Sequence, residues 1–78
     1  MIKVGDTVKI APLNISSRFL GMRGKVTEID LDSKIAHPTS LLTYLTHRVE
    51  INEDDWKTLF QVASPGYLWF NERELRAI

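Results

Sequence analysis

The two ends of this chain most constrain what it can fold into, because each carries a closely spaced pattern of strand and turn residues. Near the front, residues 4–10 have the sequence VGDTVKI, and residues 21–29 have the sequence GMRGKVTEI. Near the back, residues 67–76 have the sequence YLWFNERELR. Gly-Asp is a turn signal, and alternating apolar residues are typical of short strands. Together these segments predict a small barrel of antiparallel strands with one helical turn before the last strand.

The chain is short, and its 78 residues leave room for one hydrophobic core and therefore for one domain, residues 1–78. It contains no cysteine, so neither a disulfide nor a thiolate metal site can stabilise the fold. Its first residues lack the apolar run of a signal peptide, and no segment approaches the roughly 18 apolar residues of a membrane span. We therefore expect a cytoplasmic protein that has no membrane segment.

Alternation of apolar and polar residues, interrupted by turn residues, predicts five strands. Pro12 ends the first of them, because proline has no N–H to donate to a neighbouring strand. Two long connections, residues 12–22 and 30–40, are rich in turn-forming residues and are predicted to be loops. The predicted strands span residues 6–11, 23–30, 42–51, 67–70 and 75–78.

The second predicted strand departs from strict alternation, since its apolar residues Val26 and Ile29 lie three positions apart. A bulge or bend near residues 27–28 would reconcile them, and barrels often need one to turn a corner. Gly21 and Gly24 flank the start of this strand, where left-handed or closely approached backbone favours glycine. A phosphate-binding loop would need more glycines and a helix directly behind it, so we assign these two a mechanical role.

Residues 52–65 fit two structures. Trp56, Leu59 and Phe60 have the spacing of one helical face, and Asn52 is suited to cap a helix whose first turn is acidic. The same segment could form a strand, with Trp56 and Phe60 on one face. We favour a short helix inserted before the fourth strand. Its apolar stripe either seals an open end of the barrel or forms a protein-docking or homodimer surface.

The opening segments, residues 4–10 and 21–26, resemble the SH3-like barrel superfamily, in particular the KOW-type variants of ribosomal proteins and transcription elongation factors. The closing segment WFNEREL, residues 69–75, is similar to that of small SH3-like proteins encoded by phages and prophages. The resemblance covers residues 3–30 and 66–78, about half of the chain. It implies an all-β, five-stranded SH3-like barrel that acts as a non-catalytic interaction module. By analogy, such a module would be a phage- or prophage-encoded adaptor or inhibitor of a host protein.

Charge is unevenly distributed along the chain, although the formal net charge is zero. Residues 1–27 hold five cations and one carboxylate, whereas residues 28–55 hold two cations and seven carboxylates. A neutral total argues against strong non-specific nucleic-acid binding, yet it permits a local basic patch. In SH3-like barrels the long loops and the closing turn line one edge, where partners usually dock. The resemblance therefore implies a binding edge with Arg18, Phe19, Arg23 and Lys25, together with Trp69 or Asn71.

Two functions from different classes follow from these candidates. A protein-binding adaptor would use Trp56 and Phe60 of the inserted segment. A KOW-like nucleic-acid module would use the basic and aromatic residues of segment 12–25, with rings stacking on bases and cations holding phosphates. In the alternative structural interpretation, Phe19 and Leu20 fold back to cap the barrel.

Catalytic and metal-binding patterns are weak in this chain. His37 lies near Asp30 and Asp32, but an acidic loop of this kind is usually only solvated. We expect His47 to be an exposed strand histidine. No serine has the surroundings of a nucleophile elbow, and a barrel this small rarely offers a catalytic pocket. We therefore expect no enzymatic activity, no metal and no cofactor.

Overall fold

The structure, a computed structural model, describes residues 2–11, 19–37, 40–60 and 66–78. These residues are mostly strands with little helix, so the protein has the predicted all-β character. In chain order, the elements are β1 (Thr7–Ile10), β2 (Arg23–Ile29), β3 (Ala36–His37), β4 (Ser40–Tyr44), β5 (His47–Ile51), the helix α1 (Glu53–Phe60), β6 (Tyr67–Phe70), a 3-10 turn (Glu72–Glu74) and β7 (Leu75–Ala77).

One antiparallel sheet contains five of the strands, in the order β6-β5-β2-β1-β7. β3 and β4 form a separate two-stranded antiparallel sheet. The last strand thus returns beside the first, so that β1 lies between β2 and β7. The two ends of the chain, which carry the clearest sequence patterns, are neighbours in the sheet.

The core lies on the inner face of this sheet and follows the alternation of the strands. In β1 and β5, buried residues alternate with residues that retain more accessible surface. The inner face is therefore mostly apolar, whereas the outer face carries exposed polar residues. The buried apolar residues are Val8, Ile10, Val26, Val49, Ile51, Phe70 and Leu75.

The predicted bulge in the second strand is confirmed. The register of β2 against β5 shifts between Val26 and Glu28. Because the bulge adds one residue to β2, Val26 is buried and Ile29 also packs against the core. The prediction that residues 30–40 form a loop is wrong in part, since this segment contains β3 and the first residue of β4.

The prediction of one strand over residues 42–51 is also wrong, because the segment divides between the two sheets. The break falls at Leu45 and Thr46, whose N–H groups donate to different parts of the chain. Leu45 N–H donates to the carbonyl of Ile35 (2.8 Å), and Thr46 N–H donates to that of Phe70 (3.0 Å). Because these hydrogen bonds diverge, β4 pairs with β3, whereas β5 pairs with β6 in the main sheet.

Within the inserted segment, residues 53–60 form a helix, as predicted, and α1 begins at the expected cap, while residues 61–65 lie outside the described part of the chain. The Asn52 side-chain oxygen accepts the N–H of Asp54 at 2.9 Å, and the Asn52 carbonyl accepts the N–H of Trp56 at 2.9 Å. The first turn is acidic, and its carboxylates stabilise the helix because they lie at the positive end of the helix dipole. Within the described ranges, no helix has the length and apolar character needed to span a membrane.

Candidate functional site

A row of three cations crosses the outer face of the sheet. Lys9 in β1 lies directly opposite Arg23 in β2 and, on its other side, opposite Arg76 in β7. Directly opposite residues of antiparallel strands point to the same face, with Cβ atoms about 5 Å apart. All three residues are exposed. We call this set the cation row (Lys9, Arg23 and Arg76).

The cation row forms no ion pair with a carboxylate in the described part of the chain. In the part of the chain that the structure describes, neither Lys9 nor Arg23 has a carboxylate within ion-pairing distance. Asp55 lies close, but it accepts the backbone N–H of Arg23 (3.0 Å). Arg76 donates to two backbone carbonyl groups. Since like charges placed directly opposite destabilise a sheet, the row lowers stability.

A second cross-strand row lies one step along the strands. Thr7 is opposite Lys25, Lys25 is opposite Glu50, and Glu50 is opposite Tyr67. Since neighbouring strands are about 4.8 Å apart, Tyr67 lies about 10 Å from Lys25. The outer face is therefore cationic across β7, β1 and β2, and it becomes aromatic at β6.

At the aromatic end, Arg48 of β5 stacks on Tyr67. The guanidinium carbon lies 3.7 Å from the centre of the Tyr67 ring. Arg48 Nη1 also donates to the hydroxyl of Thr27, at 3.0 Å, so the bulge in β2 orients the guanidinium. Trp69 lies opposite Arg48, further along β6. Tyr67 nevertheless remains 50% exposed.

A shallow groove of about 1020 Å³ runs over β1, β2 and β5 on this face. Arg23, Lys25 and Glu50 line it, and so does the start of α1. The exposed apolar residues Val4 and Ile78 also line this groove. The groove thus combines cationic, acidic and apolar surfaces.

The predicted binding residues do not all gather at one edge. Arg23 and Lys25 are exposed on β2, whereas Trp69 is on β6, two strands away. Phe19 folds back onto the core and makes an edge-to-face contact with Phe70, with ring centres 6.2 Å apart. This agrees with the capping interpretation of Phe19. Arg18 lies outside the described residues.

Asn71, another predicted binding residue, holds the closing turn together. Its side-chain oxygen accepts the N–H of Arg73 (3.0 Å), and its own N–H donates to the Glu74 carboxylate (3.1 Å). These reciprocal bonds form a capping box. Its amide nitrogen also donates to the carbonyl of Tyr44 (2.8 Å). The predicted helical turn is confirmed, and Asn71 stabilises it.

Trp56 of α1 packs against the core, and Phe60 packs against Trp56. Trp56 contacts the core, and its ring centre lies 4.2 Å from that of Phe60. The Trp56 indole also lies against Gly66, where an added Cβ would collide with the ring. These contacts support the interpretation that the stripe seals one end of the fold. Leu59 belongs to α1, and its side chain lies outside the described part.

His47 is buried, so the prediction of an exposed strand histidine is wrong. It retains 1% of its accessible surface because the inner face of β5 includes its first residue. Nδ1 lies 2.7 Å from the hydroxyl of Thr46, and Nε2 lies 3.5 Å from the Glu72 carboxylate. Burial lowers the pKa of His47, and the charge of Glu72 opposes that shift.

We expect His47 to make the protein less stable in mild acid. Because its pKa is lower in the folded state than the ordinary value of 6.5, the unfolded chain binds the proton first as the pH falls. The stability contribution of His47 is therefore present above pH 6.5 and is lost as the pH falls through the folded pKa. Urea unfolding between about pH 7.5 and pH 5.5 should show this loss. A His47→Gln variant should show a weaker dependence, and an equal dependence would contradict the assignment.

Sequence reasoning missed three residues that shape this face, namely Lys9, Arg76 and Tyr67. Each lies in a correctly predicted strand, and period-two alternation already placed Lys9 on the face opposite Val8 and Ile10. The missing information was the pairing of distant strands, which is β1 with β7 for Lys9 and Arg76 and β5 with β6 for Tyr67.

Comparison with protein-family models, with curated proteins and with solved structures gives no match for this chain. Among the described residues, no group of three or more His, Asp or Glu side chains could hold a metal ion. Asp30 accepts the N–H of Asp32 at 3.1 Å, which is a local turn contact. The outer face of the sheet, which carries the cation row and the groove, is the candidate site.

Proposed function

We propose that the protein is a non-catalytic interaction module with an SH3-like barrel fold, and that its outer sheet face binds the phosphate backbone of a nucleic acid. The fold assignment is supported by the strand order β6-β5-β2-β1-β7. It is also supported by the 3-10 turn directly before β7, which matches the closing pattern of the resemblance. The ligand assignment is supported by the charges on the outer face.

The cation row is the observation that carries this proposal. Three cations lie side by side on neighbouring strands, although a carboxylate at the position of Lys9 would bind both neighbours. A surface that binds a polyanion accounts for this loss of stability, because the ligand supplies the missing negative charge. Binding surfaces commonly reduce stability in this way.

A repeating phosphate chain fits the row better than a single anion does. Three neighbouring strands place its members over about 10 Å, and Lys25 adds a fourth cation one step along β2. Arginine guanidinium groups match phosphate oxygens through paired hydrogen bonds, and two members of the row are arginines. The local patch can therefore bind phosphates even though the net charge of the chain is zero.

The charge reversal Lys9→Glu with Arg23→Glu tests this function. Binding of a fluorescently labelled oligonucleotide should weaken at least tenfold at about 100 mM salt, and the dependence on salt concentration should become shallower by about 0.7 for each lost phosphate contact. The single change Lys9→Glu should also raise the free energy of unfolding by up to about 1 kcal/mol, because it creates opposite-charge pairs with Arg23 and Arg76.

The matched control is Lys3→Glu with Lys34→Glu, which changes the net charge equally at exposed positions outside the cation row. This control should keep most of the affinity. Equal losses in the two double variants would show that only net charge matters, and unchanged binding after reversal of the row would contradict the proposed site.

A second candidate function is the protein-binding adaptor predicted from sequence, and the groove over β1, β2 and β5 is the feature that favours it. Exposed Val4 and Ile78 line this groove together with charged residues, a mixture that suits an extended peptide. Capture from lysate by the tagged protein, with and without nuclease, separates the two functions. A partner that binds Val4→Asp protein as well as wild type would contradict the use of this groove.

A further inference from the structure

We propose that Tyr67, backed by Arg48, is a base-stacking site, so that the ligand of the outer face is single-stranded nucleic acid. This inference rests on the proposed function, because it uses the same face and the same phosphate contacts. It adds that the base of a nucleotide contacts β6, and that only a single-stranded nucleic acid can place a base there.

The Tyr67 ring is fixed and yet accessible. Arg48 covers one face of the ring at 3.7 Å, and Thr27 holds Arg48 in place. Tyr67 as a whole residue keeps half of its accessible surface, and we assign the contact with a base to the ring face opposite Arg48. A ring that is already oriented loses little freedom on binding, and such rings stack on bases of any sequence.

The charges across the face set the orientation of the strand. Lys25 lies on one side of Glu50 and Tyr67 lies on the other, within one cross-strand row. On the aromatic side the charge of Arg48 is offset by Glu28, which lies directly opposite it on β2, and by Glu50, two residues along β5. Within the described part of the chain neither Lys9 nor Arg23 has a carboxylate at ion-pairing distance, so the cation row attracts phosphates more strongly than the aromatic side does. Phosphates therefore lie over β7, β1 and β2, and bases turn toward β6. Glu50 can also accept hydrogen bonds from base amino groups between the two sides.

A double helix does not fit this arrangement. Its bases are paired and stacked on one another, and their faces are not available to a protein ring. In a single strand, an unstacked base can lie on Tyr67 while the adjoining phosphates contact Lys25 and Arg23, about 10 Å away. The distance from the cations to the ring therefore selects flexible, unpaired nucleotides.

The test compares three probes against the wild-type protein and the variants Tyr67→Ala and Tyr67→Phe. The probes are labelled oligo(dT) of about 12 nucleotides, a duplex of the same length, and inorganic polyphosphate, which has phosphates and no bases. Wild type should prefer the single strand to the duplex. Tyr67→Ala should weaken oligo(dT) binding about tenfold and leave polyphosphate binding unchanged, whereas Tyr67→Phe, which keeps the ring, should bind like wild type.

The outcomes separate this inference from the proposed function. Equal binding of single strand and duplex, or oligo(dT) binding that Tyr67→Ala does not change, would overturn the stacking site while leaving the phosphate contacts in place. Wild-type protein that binds none of the three probes would overturn both. Urea unfolding of Tyr67→Ala checks that a loss of affinity does not come from a loss of fold.

Discussion

Replacement of Trp56 by alanine is expected to lower the free energy of unfolding by about 3 kcal/mol, a large part of the roughly 5 kcal/mol expected for so small a domain. Trp56 packs against the core, and its ring meets that of Phe60 at 4.2 Å. Thermal unfolding followed by circular dichroism should show a fall in Tm on the order of 15 °C. Lys57→Ala, an exposed change on the same helix, serves as the control and should have little effect.

Gly66 provides a second way to test the Trp56 contact. A Cβ at Gly66 would collide with the indole, so Gly66→Ala should cost about 2 kcal/mol in the wild-type background. The same change should cost much less in Trp56→Ala protein, because the ring that it meets is gone. This non-additivity measures the coupling between the two residues. A Trp56→Ala protein as stable as wild type would contradict the sealing contact and would favour an exposed docking surface.

Local sequence patterns were enough to predict most of the elements of this fold. Asn52 caps α1, the bulge in β2 lies where Val26 and Ile29 required it, and Asn71 begins the closing turn. Each of these features depends on residues within about four positions of one another. Turn chemistry, capping and alternation act over that range, so a single sequence carries the information.

Features that depend on contacts between distant segments were not accessible in this way. The strand expected over residues 42–51 breaks because Thr46 binds Phe70, far along the chain. His47 is buried because it lies on the inner face of β5 with Val49 and Ile51, although its neighbours Thr46 and Arg48 suggested an exposed strand. Alternation defines two faces of a strand, but only the sheet determines which face is covered.

The residues of the candidate site could likewise be predicted only where they are close together in the sequence. The resemblance to SH3-like barrels implies a binding edge that includes Arg23 and Lys25, and both are exposed on the outer face. Lys9 and Arg76 join them through the pairing of β1 with β2 and β7. Phe19, which the resemblance places at the binding edge, packs on the core, as the alternative capping interpretation expects. A binding face on a sheet is therefore assembled from residues that local sequence reasoning considers separately.

Gly24 lies at a close approach of β2 to β5, and its replacement by alanine is expected to have an effect comparable to that of Trp56→Ala. A Cβ at Gly24 would lie 2.5 Å from the carbonyl oxygen of Glu50 and 2.7 Å from a methyl group of Val49. Because the first contact is with backbone, β2 and β5 must move apart. We expect a loss of about 2–3 kcal/mol, well above the smaller gain from restricting the unfolded chain.

Urea unfolding of Gly24→Ala measures this loss, and Lys25→Ala is the matched control, because its side chain points to solvent from the adjacent position of β2. The binding assays carry a second expectation. Arg23 and Lys25 lie on β2, whereas Tyr67 lies on β6, on the far side of β5. Separation of β2 from β5 therefore increases the distance between the cations and the Tyr67 ring. This should weaken binding of oligo(dT), which needs both, more than binding of polyphosphate, which needs only the cations. Wild-type stability in Gly24→Ala would contradict the close pairing of β2 with β5, on which the distance between cations and ring depends.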